Sequence, residues 1–181
     1  MIIDDLNWNS SLVGWTFKGE SKTFCISNIM HANVEENYIY VVCGEKNSED
    51  EVFNISFEGI VQFYYNKNTG KTFWLHNGLK VDLVPNSINN AKIYKGENLV
   101  LCITSNTNGV TKLLGYSTDG KLIFEKDEPV DLKFLYLSVA NNQRSIVCEG
   151  DAKHTDKFGR STHHFLVNKN NGYLTWANLA Y

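Results

Sequence analysis

A polar turn followed by an apolar strand recurs four times along the chain, and this repeat limits the possible folds more than any other feature of the sequence. The strands begin at positions 22, 71, 121 and 173, so the steps between them are 49, 50 and 52 residues. The turns contain Asn, Asp or Gly, which tolerate the positive backbone dihedral angle of a tight hairpin. We therefore expect an antiparallel hairpin about every fifty residues, in the segments 18–25, 66–74, 117–124 and 168–176.

A second apolar strand, which holds a cysteine, precedes each of the last three hairpins, at 38–43, 98–102 and 144–148. A further short strand is expected before each of these, so the unit has about four strands. The sequence thus predicts a single all-β domain over 1–181. Both prolines, Pro85 and Pro129, fall between units, where no strand needs their missing N–H group. The predicted units cover roughly 1–28, which is partial, then 29–84, 85–129 and 130–181.

Four antiparallel strands at this period are typical of a β-propeller blade. Gly70 precedes Trp74 by four residues, and Gly172 precedes Trp176 by four. This placement resembles the outer hairpin of quinoprotein-like and WD-like propeller repeats, although the Trp-Asp and Gly-His pairs of WD repeats are missing. The resemblance covers about residues 12–181 and implies a small or partial β-propeller. A continuous twisted sheet, a β-sandwich or a barrel stays open as an alternative.

Composition narrows the classes of partner. The net charge is −3, and the only two arginines are Arg144 and Arg160, so a surface that reads nucleic acid directly is not expected. The first residues lack the basic start and cleavage site of a signal peptide, and no apolar run approaches the roughly 20 residues of a membrane helix. We therefore expect a cytoplasmic protein that does not contact a membrane.

No residue pattern predicts catalysis or a cofactor. Cys43, Cys102 and Cys148 occupy the same position in successive units and are expected to be buried small apolar residues, and Cys25 is also expected to pack. No nucleophile elbow accompanies the five histidines. The protein is therefore predicted not to be an enzyme. The alternative is a small hydrolase or lyase that uses His163 or His164, which point to opposite faces if their segment is a strand.

Two polar segments are candidates for contacting a partner. One is the acidic segment 48–51, expected in a loop, where carboxylates speed association with a basic protein. The other is the loop 151–160, whose aromatic and arginine residues are of the types that anchor interfaces. The predicted partner-binding residues are Glu49, Asp50, Glu51, Phe158 and Arg160.

In size, single-domain build, acidic loops and lack of an enzyme motif, the chain resembles bacterial toxin-neutralising immunity proteins of the contact-dependent growth inhibition type. That resemblance of overall character implies a protein-binding inhibitor that neutralises a cognate protein toxin, such as a basic nuclease domain. A carbohydrate-binding or scaffold module that uses Trp8, Trp15 or Tyr64 is a further alternative.

Overall fold

A computed structural model describes residues 3–46, 48–83 and 87–180, and these residues form an all-β structure. The described residues contain seventeen strands and two short 3₁₀ helices but no α-helix. The strands form four sheets in which every strand pairs antiparallel with its neighbour in sequence. The predicted all-β class is confirmed. None of the described helices is long and apolar enough to cross a membrane.

The chain divides into two compact units, Met1–Val84 and Pro85–Tyr181. The first unit holds a three-stranded and a six-stranded sheet. The three-stranded sheet consists of β1 (Asp4–Trp8), β2 (Leu12–Phe17) and β3 (Glu20–Cys25). The six-stranded sheet consists of β4 (Ile29–Val34), β5 (Ile39–Cys43), β6 (Glu51–Ile55), β7 (Val61–Asn66), β8 (Thr72–His76) and β9 (Leu79–Leu83).

The two sheets of the first unit share one apolar core. Alternation along β2 and β5 places Val13, Trp15, Ile39 and Val41 in it, each at most 2% exposed. Nε1 of Trp15 donates to the backbone oxygen of Phe57 across 2.8 Å, so the buried indole N–H is satisfied. This bond also ties the three-stranded sheet to the segment after β6.

The second unit holds two four-stranded sheets. One consists of β10 (Ile88–Tyr94), β11 (Leu99–Ser105), β12 (Thr111–Ser117) and β13 (Leu122–Asp127). The other consists of β14 (Leu132–Ala140), β15 (Gln143–Gly150), β16 (Thr162–Val167) and β17 (Leu174–Leu179). The 3₁₀ helices are Lys95–Glu97, between β10 and β11, and Ala152–His154, after β15.

Side-chain hydrogen bonds join the first strands of the two sheets in this unit. The backbone N–H of Leu137 donates to Oδ1 of Asn90 across 2.9 Å, and the Tyr94 hydroxyl donates to the backbone oxygen of Ser138 across 2.9 Å. Apolar residues of both sheets form a common core around β11 and β15. The contact therefore fixes β10 beside β14.

The repeated turns form hairpins as expected. The N–H of Gly70 donates to the backbone oxygen of Asn66 across 2.9 Å, and Gly172 makes the same bond to Asn168 across 2.8 Å. The φ angles of the two glycines are +70° and +69°, a region that suits glycine. Oδ1 of Asn66 also accepts from the N–H of Thr69. The asparagines therefore shape turns, as their spacing predicts.

Strand number departs from expectation in the first unit. The sheets have three, six, four and four strands, so the expected unit of about four strands holds for the last two sheets only. Strand β1 was not expected, and the pair β8–β9 is joined by Asn77-Gly78, both with positive φ, which is a strong hairpin signal. The single domain over 1–181 stays a prediction. Pro129 lies between β13 and β14, and Pro85 lies outside the described residues.

Gly115 on β12 provides a test of packing in the second unit. A methyl group at this position would overlap the ring of Phe124, which lies opposite on β13 and is 7% exposed. We expect Gly115→Ala to lower the free energy of unfolding by about 1–3 kcal/mol, because the buried ring has to move. Urea unfolding followed by circular dichroism measures the loss. Gly96→Ala is the matched control, since nothing lies within 4 Å of the added methyl there, and a loss as large in this variant would contradict the prediction.

Candidate partner-binding site

The loop between β15 and β16 starts from a closed base. The N–H of Gly150 donates to the backbone oxygen of Ser161 across 2.8 Å, so the two strands still pair where the loop leaves the sheet. Asp151 caps the 3₁₀ helix Ala152–His154, and its Oδ1 lies 2.9 Å from Nδ1 of His154. The loop is therefore anchored on both sides before it reaches its tip.

Asp156 organises the tip of this loop. Its Oδ1 accepts from the N–H groups of Phe158 (2.8 Å) and Arg160 (3.0 Å), and its Oδ2 accepts from Nε of Arg160 (2.7 Å). The backbone closes the same turn, because the N–H of Asp156 donates to the oxygen of Arg160 and Gly159 donates to the oxygen of Asp156. Gly159 takes a φ of +81°. The five residues therefore form a hydrogen-bonded turn.

Phe158 stands at the tip of this turn and is 71% exposed. Two cations flank its ring, with Nζ of Lys157 at 4.9 Å and Cζ of Arg160 at 5.3 Å from the centroid. Cation–π contacts at exposed sites stabilise a structure only slightly, but they restrain the orientation of the ring. We call residues 156–160 the Phe158 turn. Its geometry presents a large apolar side chain to solvent from a backbone that is already ordered.

The ionised form of Asp156 stabilises the turn, and this makes a prediction about pH. The hydrogen bonds from Arg160 lower the pKa of Asp156 to about 2 from its ordinary value of 3.8. Because the folded pKa is depressed, the stabilisation is fully present above about pH 3.8 and is lost as the pH falls through about 2. The protection factors of the Phe158 and Arg160 amides, which correct for the intrinsic pH dependence of exchange, should therefore be constant above about pH 3.8 and fall between there and about pH 2.

Asp156→Asn separates this effect from acid unfolding of the whole chain. Asparagine keeps a side-chain acceptor but loses the charge that attracts Arg160, so exchange at Phe158 should be faster at pH 7 than in the parent protein. Amides of the strand β15 serve as the internal reference. Equal exchange rates in the two proteins at pH 7 would contradict the assigned role of Asp156.

A cavity of about 520 Å³ lies at the base of the loop. Four carboxylates, one lysine and two apolar side chains contribute to its wall together with Gly150. Nζ of Lys153 lies 3.6 Å from Oδ2 of Asp131, one of these carboxylates. The wall at the base of the loop is therefore mainly acidic. The residues that line the cavity are Glu128, Pro129, Asp131, Leu132, Lys133, Glu149, Gly150 and Asp151.

His163 and His164 lie next to each other on β16 and make different contacts. Nε2 of His163 lies 2.8 Å from the backbone oxygen of His154, and Nδ1 of His163 accepts from Nε1 of Trp176 across 3.3 Å. Nδ1 of His164 lies 3.1 Å from Oγ of Ser145. Ser145 is 0% exposed, so this serine–histidine pair does not present a nucleophile to solvent.

The acidic segment belongs to the first unit, whereas the Phe158 turn belongs to the second. Glu49 is exposed, 3.6 Å from Nζ of Lys67, and Asp50 is half-buried and accepts from the hydroxyl of Ser48. Glu51 was expected in a loop, but it begins strand β6.

Glu51 bonds to side chains of the neighbouring strand. Its Oε1 accepts from the Tyr64 hydroxyl at 2.8 Å and from Nδ2 of Asn66 at 2.7 Å. Desolvation, with a further contribution from Glu51, raises the pKa of Tyr64 to about 12. Glu49 is therefore the most accessible carboxylate of the three, and Glu51 supports the β6–β7 pair.

Three of the four cysteines are buried as expected. Burial raises the pKa of Cys43, Cys102 and Cys148 to about 12, so all three remain neutral thiols at physiological pH. The expectation that Cys25 packs is wrong: its side chain is exposed, because it ends β3, the outer strand of the three-stranded sheet.

Sequence reasoning missed the exposed aromatics near the chain's end. Tyr173 is 68% and Trp176 is 58% exposed, whereas Trp15, named as a candidate for sugar binding, is 2% exposed. Trp8 is 42% exposed, and Tyr64 is half-buried between the rings of two phenylalanines. Trp176 lies on β17, the outer strand of its sheet, and no sequence signal marks its exposure.

Comparison with known proteins does not place the chain in a family. No family model matches it, and no curated protein matches it in sequence. Among solved structures it is similar to the N-terminal domain of Nup159, with 9% identity and a TM-score of 0.46. The similarity covers 95% of this chain and 57% of that one. A similarity of this size identifies neither a family nor a function.

Proposed function

We propose that this protein acts by binding another protein through the Phe158 turn, as an immunity protein that neutralises a cognate bacterial toxin. The observation that carries the proposal is the exposed ring of Phe158 on a turn fixed by Asp156. An aromatic side chain on an ordered backbone loses little conformational entropy on binding, which is what an interface anchor requires. The inhibitor form of the proposal rests on the overall character of the sequence.

Charge supports a basic partner, such as a nuclease domain. Carboxylates line the cavity at the base of the loop 151–160, and Glu49 is exposed on the first unit. Such groups attract a cationic surface and speed its association. With two arginines in the chain, direct binding of nucleic acid is not part of the proposal. We place the interaction in the cytoplasm, where a nuclease toxin finds its substrate.

We also propose that the sheets are blade-like repeats of a small or partial β-propeller. In support, each sheet is built from one continuous segment of chain with its strands in sequence order. The hairpins β7–β8 and β16–β17 share the same Asn-to-Gly turn geometry. This order and turn chemistry are typical of propeller blades.

The test of the proposed function is a comparison of variants in affinity capture from the native cells. The tagged protein and its Phe158→Ala variant are used at low and moderate salt, and bound proteins are identified by mass spectrometry. We expect the parent protein to retain one other protein in an amount about equal to its own, and we expect the Phe158→Ala variant to lose that protein. Tyr173→Ala is the matched control, because Tyr173 is as exposed as Phe158 but lies in the β16–β17 turn.

The identity of the protein lost in Phe158→Ala decides the inhibitor form. A toxin domain whose activity the purified parent protein blocks supports it. If the captured protein has no toxic activity, the inhibitor form of the proposal is wrong, but the proposed binding role of the Phe158 turn stands. Identical captures with Phe158→Ala and the parent overturn the role of the Phe158 turn. Glu49→Lys tests the acidic segment in the same experiment. Glu58→Lys is its matched control, because Glu58 is also exposed but lies outside that segment.

A further inference from the structure

One histidine joins the exposed Trp176 to the loop 151–160. Nε1 of Trp176 donates to Nδ1 of His163 across 3.3 Å, while Nε2 of His163 lies 2.8 Å from the backbone oxygen of His154. An indole N–H only donates, and a carbonyl oxygen only accepts. The neutral imidazole with its proton on Nε2 is therefore the form that satisfies both contacts.

We infer that His163 is a pH-sensitive contact that holds Trp176 when the ring is neutral and releases it when the ring is protonated. The added proton sits on Nδ1 and faces the indole N–H, so two donors oppose each other. The contact to His154 keeps its donor in both forms. Protonation therefore breaks the bond to Trp176 and leaves the bond to the loop.

Release of Trp176 changes a surface beside the loop. Trp176 on β17 lies opposite Phe165 on β16, and the ring of Phe165 is 6.5 Å from that of His163. Because the indole is 58% exposed, packing restrains it little, and the bond to His163 is what restrains its orientation. Without that bond, the indole rotates away from His163, and the exposed surface of β17 changes.

Other titratable groups near His163 do not account for such a change. Cys148 lies directly opposite on β15, and burial raises its pKa to about 12, so it stays neutral; Glu149 follows it. The loop contributes Asp151, Lys153 and His154, and the side chain of His154 is turned to Asp151. Strand β17 carries no titratable side chain between Leu174 and Leu179. Two other histidines lie nearby, His154 in the loop and His164, whose Nδ1 lies 3.1 Å from Oγ of Ser145. The variant His163→Asn retains both, so it separates their protonation from that of His163.

Collisional quenching of tryptophan fluorescence tests the inference on the protein alone. The Trp8→Phe background removes an exposed indole whose ring lies 6.3 Å from that of His31. Trp15 and Trp74 are 2% and 0% exposed, so acrylamide reports mainly on Trp176. We expect the quenching constant to rise about twofold from about pH 8 to about pH 5, because the ring loses its role as acceptor.

Three variants in the same background make the result decisive. In His163→Asn the amide oxygen replaces the Nδ1 acceptor and does not titrate, so quenching should be low at both pH values. His163→Gln places its amide near the Nε2 position, which keeps the loop contact and loses the acceptor, so quenching should be high at both. His154→Asn keeps its backbone oxygen and should respond like the background. A pH response that persists in His163→Asn, or that is absent in the Trp8→Phe background itself, overturns the inference.

Discussion

Replacing Trp74 by alanine is expected to lower the free energy of unfolding of the first unit by about 3–5 kcal/mol. Trp74 lies on β8, is 0% exposed, and faces Phe63 on β7 and Val81 on β9 across the sheet. The substitution removes the apolar area that the indole buries. It also leaves a cavity, because hydrogen bonds hold the neighbouring strands in place. Urea unfolding followed by circular dichroism gives the change.

Trp176→Ala is the matched control for this prediction. It deletes the same side chain from the corresponding position of another hairpin, but Trp176 is 58% exposed. Its loss should be below about 1 kcal/mol, because an exposed side chain gives up little burial. Trp74→Phe keeps part of the volume and should fall between the two. Equal losses for Trp74→Ala and Trp176→Ala would show that burial does not set the stability of these hairpins.

The same pair of residues shows what a repeat in sequence can and cannot predict. Cys25, Trp74, Phe124 and Trp176 occupy one position relative to their turns. The turn chemistry is local, so it predicts the hairpins correctly. Their exposure differs widely: Trp74 is 0% and Phe124 is 7% exposed, whereas Trp176 is 58% exposed and Cys25 is also exposed. Burial depends on which other strands cover a position, and a single hairpin does not encode that.

The candidate site divides in the same way. The composition of the loop 151–160 predicts an exposed Phe158, because a polar segment between two apolar strands lies on the surface. The role of Asp156 could not be predicted, since three bonds to Phe158 and Arg160 follow from the path of the backbone. Glu51 shows the converse: an acidic run suggests a solvated loop, but its last carboxylate bonds to Tyr64 and Asn66 within the sheet.

Once the captured partner is purified, Phe158→Ala is expected to weaken its binding at least 30-fold, which is about 2 kcal/mol. The ring is 71% exposed in the free protein, so truncation removes apolar area that only a complex buries. The fold should be unaffected, with a change in unfolding free energy within about 0.5 kcal/mol. Titration calorimetry measures the affinity, and urea unfolding checks the stability.

Two further variants separate the ring from the turn that carries it. Asp156→Ala leaves Phe158 intact but removes the acceptor of its N–H and of Arg160, so the complex must order the turn as it forms. We expect an intermediate loss of affinity, with a less favourable binding entropy than in the parent. Tyr173→Ala should change affinity less than about threefold. If Tyr173→Ala weakens binding as much as Phe158→Ala does, the Phe158 turn is not the specific anchor, because the β16–β17 turn then contributes equally.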